Sequence, residues 1–284
     1  MAGELEEFRE MVRAALKEDL GAGDATTDST IPADAKAVAN MVAREPLVVA
    51  GLDLARMAFH ERGETLQIDC KVQDGAKLKK GEVLMSIRGN ARSILEAERV
   101  ALNFVQRLCG VATETRRFVE AVHGTKAKII DTRKTFPGWR KLDKYAVKCG
   151  GGENHRFGLF DMILIKDNHL AVLKLTSDDP VGVAVMSARA KYPNLKIEVE
   201  ADTLEQVALA VNAGADIILL DNMDYETLQR AVNMVGGKAK TEASGGVRLD
   251  TVAAIAATGV DYISVGAITH SARAVDIALD FEIQ

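Results

Sequence analysis

Cysteine is scarce and unpatterned in this chain. Cys70, Cys109 and Cys149 are odd in number and lack CxxC spacing, which excludes a disulfide framework or a zinc knuckle and points to reduced thiols in the cytosol. Five prolines and 23 glycines in 284 residues are too few for a collagen-like or disordered chain. No apolar run approaches the ~18 residues that cross a bilayer. The opening MAGELEEFREMVRAALKEDL is acidic and amphipathic, without the apolar core of a signal peptide. Excess positive charge is absent too: the net is −5, which argues against a general nucleic-acid binder. The expectation is a soluble, cytoplasmic protein with neither membrane nor nucleic acid as partner.

What is present is apolar: 48% of residues are hydrophobic, ample for one large domain or two. Leu5, Phe8, Val12, Ala15 and Leu16 fall on one face of a helix expected over 4–19. AKAVANMVAREPLVVAG reads as two short strands broken near Glu45 and Pro46, and 52–62 as a helix. Strands then alternate with turns at Asp74-Gly75, Lys80-Gly81 and Gly89-Asn90. That spacing resembles the β-sandwich of lipoyl and biotinyl carriers, but the carrier's modified lysine is missing, so only the architecture is shared. Residues 92–121 read as one or two helices, with a hinge near Cys109-Gly110.

From residue 126 the pattern changes. IIDTRK, MILIKDNH, IEVEAD, IILLDN, TEASGG and YISVGAIT are six apolar runs ending in polar clusters, with helix-like stretches between most of them. Asp202 and Asp224 stand where N-caps are wanted, and Gly214 and Gly236 where C-caps are wanted. Glu200, Asp221, Ser244 and Gly266 follow one another at intervals of 21, 23 and 22 residues, the length of a strand, a helix and two loops. This predicts a fold of the α/β class: an N-terminal α+β sandwich domain over 1–110, joined by the tail 275–284, followed by an open, incomplete parallel α/β barrel over 111–274.

The carboxyl ends of parallel strands converge on one rim, where barrels bind ligands. That rim gathers Arg133, Lys134, Lys166, Asp167, Asn168, Glu200, Asp221, Asn222, Ser244, Gly245 and His270. The window from Lys126 to Asp167 holds ten Lys and Arg against five Asp and Glu, a net of +5 beside −10 elsewhere. A local basic zone in an acidic protein suits a small anion. SGGV and VGAITH are glycine turns leading into helices, and backbone N–H groups there bind phosphate. Glu200 and Asp221 suit Mg²⁺, directly or through water, or ribose hydroxyls; pairing with Lys134 and Lys166 is the bland alternative. Glu198 shares a face with Glu200, so one of the two can be structural. His155 and Arg156 follow three glycines, as an anion clamp or as a plain surface turn. His169 and His270 suit hydrogen bonding, and His60 and His123 read as structural.

DTRKT, PGWRKLDKYAV, GGGENHR, IKDNH, EVE, LLDN, SGG and VGAITHSARAVDIALD, with EDLGAGDATT and ILEAERVALNFVQRLCGVAT before them, run in one order over nearly the whole chain. Together they resemble the quinolinate phosphoribosyltransferase family. Cys109 and Trp139 depart from the family pattern, where a serine and a leucine stand, and neither replaces a charged ligand.

The resemblance implies transfer of the phosphoribosyl group of phosphoribosyl pyrophosphate to quinolinate with decarboxylation. It assigns quinolinate to Arg99, Thr132, Arg133, His155, Arg156 and Lys166. It assigns phosphoribosyl pyrophosphate to Lys134, Glu200, Asp221, Ser244, Gly245, Gly246, Gly266 and His270. Lys134, Lys166, Glu200 and Asp221 become the catalytic set, with Mg²⁺ on Glu200 and Asp221. Arg99 would reach a partner's site, implying a homodimer with shared active sites, with assembly of such dimers left open. A related transferase acting on another heterocyclic acid without decarboxylation is the alternative. A Schiff-base enzyme built on Lys134 or Lys166 fits less well, because such lysines sit among apolar neighbours.

Overall fold

The computed structural model describes residues 2–282, with side chains from Glu7 to Glu282. The chain divides into two compact units, Met1–Glu114 with Lys148–Gly151 and Ala272–Gln284, and Thr115–Val147 with Gly152–Ser271.

In the first unit α1 (Ala2–Leu20) and α2 (Ala25–Thr30) precede β1 (Lys36–Ala43), β2 (Leu47–Val48), α3 (Leu52–Arg62), β3 (Gln67–Cys70), β4 (Lys77–Leu78), β5 (Val83–Asn90) and α4 (Ala91–Ala121, whose residues from Thr115 on belong to the second unit). Val12 and Leu16 are the buried face of α1; Leu5 lies outside the described side chains. Asp24 caps α2, its carboxylate accepting the Thr27 N–H. The α+β sandwich is built on a four-stranded antiparallel sheet. Its order is β3, β5, β1 and then a strand from the far end of the chain, Ile277–Phe281. The tail thus returns to the first unit, as ALDFEIQ suggested. Met41, Leu84, Met85 and Ile87 from this sheet and Phe59 from α3 are fully buried, each contributing about 1.5–3 kcal/mol.

The expected hinge at Cys109-Gly110 is absent: α4 runs unbroken for 31 residues. A Cβ on Gly110 would lie 2.0 Å from the Arg273 carbonyl oxygen. Gly110 is there to let two backbones touch, which sequence cannot distinguish from a bend.

The second unit holds β6 (Lys128–Ile130), α5 (Arg140–Cys149, whose last two residues belong to the first unit), β7 (Ile163–Ile165), α6 (Asp167–Leu173), α7 (Pro180–Lys191), β8 (Ile197–Ala201), α8 (Leu204–Ala213), β9 (Ile217–Asp221), α9 (Tyr225–Val235), β10 (Lys240–Ser244), α10 (Val252–Ala257), β11 (Tyr262–Ser264) and α11 (Ala267–His270). The tail strand is β12. All six strands are parallel, in the order β6, β11, β10, β9, β8, β7. Among the described residues no ladder joins β6 to β7, so the barrel stays open. Strands buried on both faces read as unbroken apolar runs, as IILL of β9 does. Gly214 and Gly236 end α8 and α9 at φ 79° and 56°, and Asp224 caps α9. The N-cap of α8, however, is Thr203 rather than Asp202. Its hydroxyl accepts the Gln206 N–H, and Gln206 reaches back to the Thr203 N–H.

Candidate active site

The strand β6 ends at Ile130, and the chain turns at once. Thr132 Oγ1 accepts the Lys134 N–H at 3.0 Å, and the Arg133 carbonyl accepts the Thr135 N–H at 3.0 Å. Arg140, at the start of α5, donates to Thr135 Oγ1, to the Phe157 carbonyl and to the Arg133 carbonyl. One guanidinium therefore ties the DTRKT turn to the loop after Arg156. Burial lowers the Arg156 pKa, and the positive charge of Arg133 lowers it further. The Arg133 Nε is buried and has no hydrogen-bond partner. Two neighbouring guanidiniums, one with an unmatched buried N–H, make a place for an anion.

Beneath that turn Asp131 is fully buried and accepts Lys144 Nζ at 2.5 Å and the His155 N–H at 2.8 Å. Lys144 also donates to the His155 carbonyl at 3.0 Å. Burial pushes Asp131 up and Lys144 down, and their mutual attraction opposes both shifts. The plain surface turn considered for His155 is not what the structure holds. Its side chain is 9% exposed, with Nε2 at 2.9 Å from Glu198 Oε2 and 3.4 Å from Glu242 Oε2. Burial alone would lower the imidazole pKa; the two carboxylates overcome this and raise it to about 10. A counterweight is the Arg156 N–H, which donates to Nδ1 at 2.7 Å and needs the lone pair that an imidazolium lacks. Glu198 is raised to about 7 by burial and by the charge of Glu242. The three ligand atoms lie within 4.8 Å of one another, compact enough for a cation; here the imidazole itself bridges the carboxylates.

On the rim Lys166 Nζ pairs with Glu200 Oε2 at 2.5 Å, which bears out one half of the salt-bridge alternative. Asp221 is raised by burial and by the charges of Glu200 and Asp202. These three acids give this part of the rim a negative character, offset at Glu200 by Lys166. Asn222 sits at φ 53° and its amide donates to Asp221 Oδ2 at 2.6 Å. Its backbone N–H donates to the Ser244 carbonyl, so the β9 and β10 ends are locked together. Gly245 and Gly246 follow at φ +96° and +57°, and a Cβ on Gly245 would meet Asn222 Oδ1 at 2.1 Å. At the β11 end, a Cβ on Gly266 would lie 3.1 Å from His270 Nε2 and 3.2 Å from Lys134 Cδ. Gly266 leaves room for both side chains. Thr269 Oγ1 donates to the Lys134 carbonyl at 2.8 Å, fastening the DTRKT turn to α11. His270 Nδ1 lies 2.6 Å from Ser271 Oγ, and His169 Nδ1 accepts the Lys166 N–H at 2.9 Å.

The second unit thus gathers Lys134, Gly266 and His270 at one side, Lys166, Glu200, Asp221 and Ser244 at another, and Arg133 and Arg156 at a third. Arg99 belongs to the first unit, on α4, and is exposed. The Glu96 carboxylate that might have held it pairs instead with Arg62. Sequence reading passed over Asp131, Lys144, Arg140 and Glu242. Only Asp131 carried a signal: an acid directly after an apolar strand.

An open parallel barrel whose rim sets paired guanidiniums beside a carboxylate cluster and two glycine turns defines an enzyme of small anionic substrates. Two family descriptions divide the chain between them: the quinolinate phosphoribosyl transferase N-terminal domain matches residues 24–109, and its C-terminal domain matches 111–280. The chain belongs to the quinolinate phosphoribosyl transferase family. It is 46% identical to the carboxylating nicotinate-nucleotide pyrophosphorylase of Mycobacterium leprae, covering 98% of both chains. It is 43% identical to the probable carboxylating nicotinate-nucleotide pyrophosphorylase of Bacillus subtilis, over 93% of this chain and 89% of that one. The solved nicotinate-nucleotide pyrophosphorylase of Francisella tularensis superposes with a TM-score of 0.92 at 39% identity, covering 98% of this chain and 97% of the other. None of the described helices is long and apolar enough to cross a membrane.

Proposed function

We propose that this protein transfers the phosphoribosyl group of phosphoribosyl pyrophosphate to the ring nitrogen of quinolinate, releasing pyrophosphate and CO2 and giving nicotinate mononucleotide for NAD synthesis. The observation that carries the site reading is the pair of neighbouring guanidiniums, one of which has an unmatched buried N–H. Burial and the nearby charge of Arg133 lower the Arg156 pKa, and the Arg133 Nε is buried without an acceptor. A planar dianion with adjacent carboxylates satisfies both groups bidentately. This favours quinolinate over a heterocyclic acid with a single carboxylate.

Roles follow from placement. Arg133, Arg156 and Lys166, with Thr132, hold the two carboxylates; His155 braces the turn beneath them. Lys134, Ser244, Gly245, Gly246, Gly266 and His270 receive the phosphates, where exposed backbone N–H groups at glycine turns suit phosphoryl oxygens. Glu200 and Asp221 receive the ribose hydroxyls and offset the positive charge that develops on the sugar as pyrophosphate leaves. The same two carboxylates, with Asp202 beside them, would hold Mg²⁺, which supplies charge neutralisation for the leaving pyrophosphate. Once ribosylated, the pyridinium nitrogen stabilises the carbanion formed when the adjacent carboxylate departs, and that carbon is then protonated. Lys166, already 2.5 Å from Glu200, orients the departing carboxylate.

The active unit in this reading is a homodimer with Arg99 reaching the partner's pocket. Its support is an exposed guanidinium whose helix neighbour Glu96 is taken by Arg62. Leu159 and Phe160, 73% and 72% exposed in the loop after Arg156, offer apolar surface to a second copy. A cytoplasmic site of action is supported by three free thiols, the state a reducing compartment maintains.

The test is to incubate the protein with quinolinate, phosphoribosyl pyrophosphate and Mg²⁺ and to measure nicotinate mononucleotide and CO2. Turnover of nicotinate at a comparable rate would overturn the dianion reading. For the dimer, an Arg99→Ala chain is mixed with a Lys166→Ala chain. Each is inactive alone, and their heterodimer regains close to half the wild-type activity if Arg99 acts across the interface. Heterodimers seen by native mass spectrometry but inactive would refute it.

A further inference from the structure

His155 is held at four points. Its N–H and its carbonyl are bonded to Asp131 and Lys144, its Nδ1 accepts the Arg156 N–H, and its Nε2 faces Glu198 and Glu242. Few of these contacts are cheap. Glu198 and Glu242 are 0% and 1% exposed, and Glu198 Oε1 is buried with no partner at all. Burying two carboxylates beside one imidazole, with one oxygen unmatched, costs more than packing apolar side chains of the same volume. The cluster is therefore a poor device for stability. Its geometry suggests another use. Glu198 and Glu242 come from β8 and β10, two strands separated by β9. Both strands are fixed in the barrel by parallel ladders, so the carboxylates are rigid. The imidazole passes that rigidity to the backbone of residue 156, immediately beneath the guanidinium that faces Arg133.

Two like charges side by side repel, while the flanking backbone is fixed by the Glu153 N–H on the Ile129 carbonyl and by Asp161, which accepts the Phe157 and Gly158 N–H groups, and the Arg156 Nη1 rests on the Met162 carbonyl. Without the imidazole the Arg156 N–H loses its acceptor, the residue is freer to turn away from Arg133, and binding would have to reverse that motion. We propose that Glu198 and Glu242 are positioning residues which, acting through the His155 ring, hold Arg156 beside Arg133 and keep the dianion pocket formed in the absence of ligand. The inference rests on the quinolinate reading and names what preforms that site.

The experiment compares wild type with the Glu198→Met/Glu242→Met double variant and with the Glu198→Gln/Glu242→Gln double variant. Methionine matches the volume but removes every acceptor facing Nε2; glutamine keeps one acceptor oxygen at each position. The methionine variant should raise the KM for quinolinate about tenfold, the order produced by losing one charge-assisted hydrogen bond. Its KM for phosphoribosyl pyrophosphate and its kcat at saturating quinolinate should change less than about twofold, because the lost interaction is made equally in ground and transition states. Its melting temperature should hold or rise, since apolar side chains replace buried ions. The glutamine variant should recover most of the quinolinate affinity. A structural role would instead lower stability and raise both KM values together, and that result overturns the proposal, as does an unchanged quinolinate KM in the methionine variant. Should the methionine variant fail to fold, hydrogen exchange on ligand-free wild type decides the matter. Residues 153–158 should exchange far more slowly than an unstructured amide; exchange at the unstructured rate refutes a preformed pocket. Failure of wild type to bind quinolinate by calorimetry would refute the functional reading instead, so the two failures are told apart.

Discussion

Replacing Lys144 by methionine would leave the Asp131 carboxylate fully buried, with the His155 N–H and the Asn154 side-chain amide as its remaining donors and no opposite charge bonded to it. Removing one partner of a buried ion pair costs about 3–5 kcal/mol, a large share of the ~5–15 kcal/mol that holds a typical protein folded. Burial already raises Asp131 and lowers Lys144 with the pair intact, so desolvation outweighs attraction and the pair contributes little net stability. Two consequences follow. Adding Asp131→Asn to Lys144→Met, which removes the orphaned charge but keeps an acceptor for the His155 N–H, should restore about 1–3 kcal/mol, the range of coupling between contacting residues. The penalty of the single variant should also shrink in acid: its Asp131 titrates above the unfolded value, so protonation favours the folded form as pH falls. The assay is guanidinium unfolding followed by the fluorescence of Trp139, the single tryptophan, with far-UV circular dichroism alongside. A loss below about 1 kcal/mol for Lys144→Met, against the 3–5 expected, would refute the argument, and so would a double variant no more stable than the single.

Arg133→Ala and Lys166→Ala should each abolish turnover with little change in melting temperature, since both side chains end on the rim and Arg133 lacks a partner for its Nε; a large loss of stability with residual activity would return them to a structural role. Gly245→Ala, at φ +96° and with its Cβ 2.1 Å from Asn222 Oδ1, should weaken calorimetric binding of phosphoribosyl pyrophosphate and leave quinolinate binding in place. Equal losses for the two ligands would contradict the division of the rim. Glu198 is raised in the folded state to about 7 by burial and by the charge of Glu242. The folded protein therefore holds more protons than the unfolded chain between the unfolded and folded values of this carboxyl, and stability falls as pH rises through that window up to about 7. Melting temperatures across that window should decline in wild type and decline less in the Glu198→Met/Glu242→Met variant; parallel profiles would contradict it.

Periodicity and spacing alone carried much of this protein. Six apolar runs at intervals near 22 residues predict six parallel strands, and parallel strands bring their carboxyl ends to one rim whatever the details of packing. Lys166, Glu200, Asp221, Ser244 and Gly266 were legible because each stands directly after such a run. Gly214, Gly236 and Asp224 were legible because caps are local chemistry. Tertiary structure decided the rest. Period two places Glu198 and Glu200 on one face, but only the ladders with β7 and β9 put Glu200 on the rim and Glu198 in the sealed interior. His155 meets Glu198 across 43 residues of chain and Asp131 meets Lys144 across 13. These partnerships depend on sheet register and barrel curvature, neither of which any short stretch of sequence encodes. The same holds at Gly110, where a residue that looked like a hinge proved to be the point at which α4 touches the Arg273 carbonyl. A glycine reports that backbone freedom or space is needed, and only the packed neighbours show which.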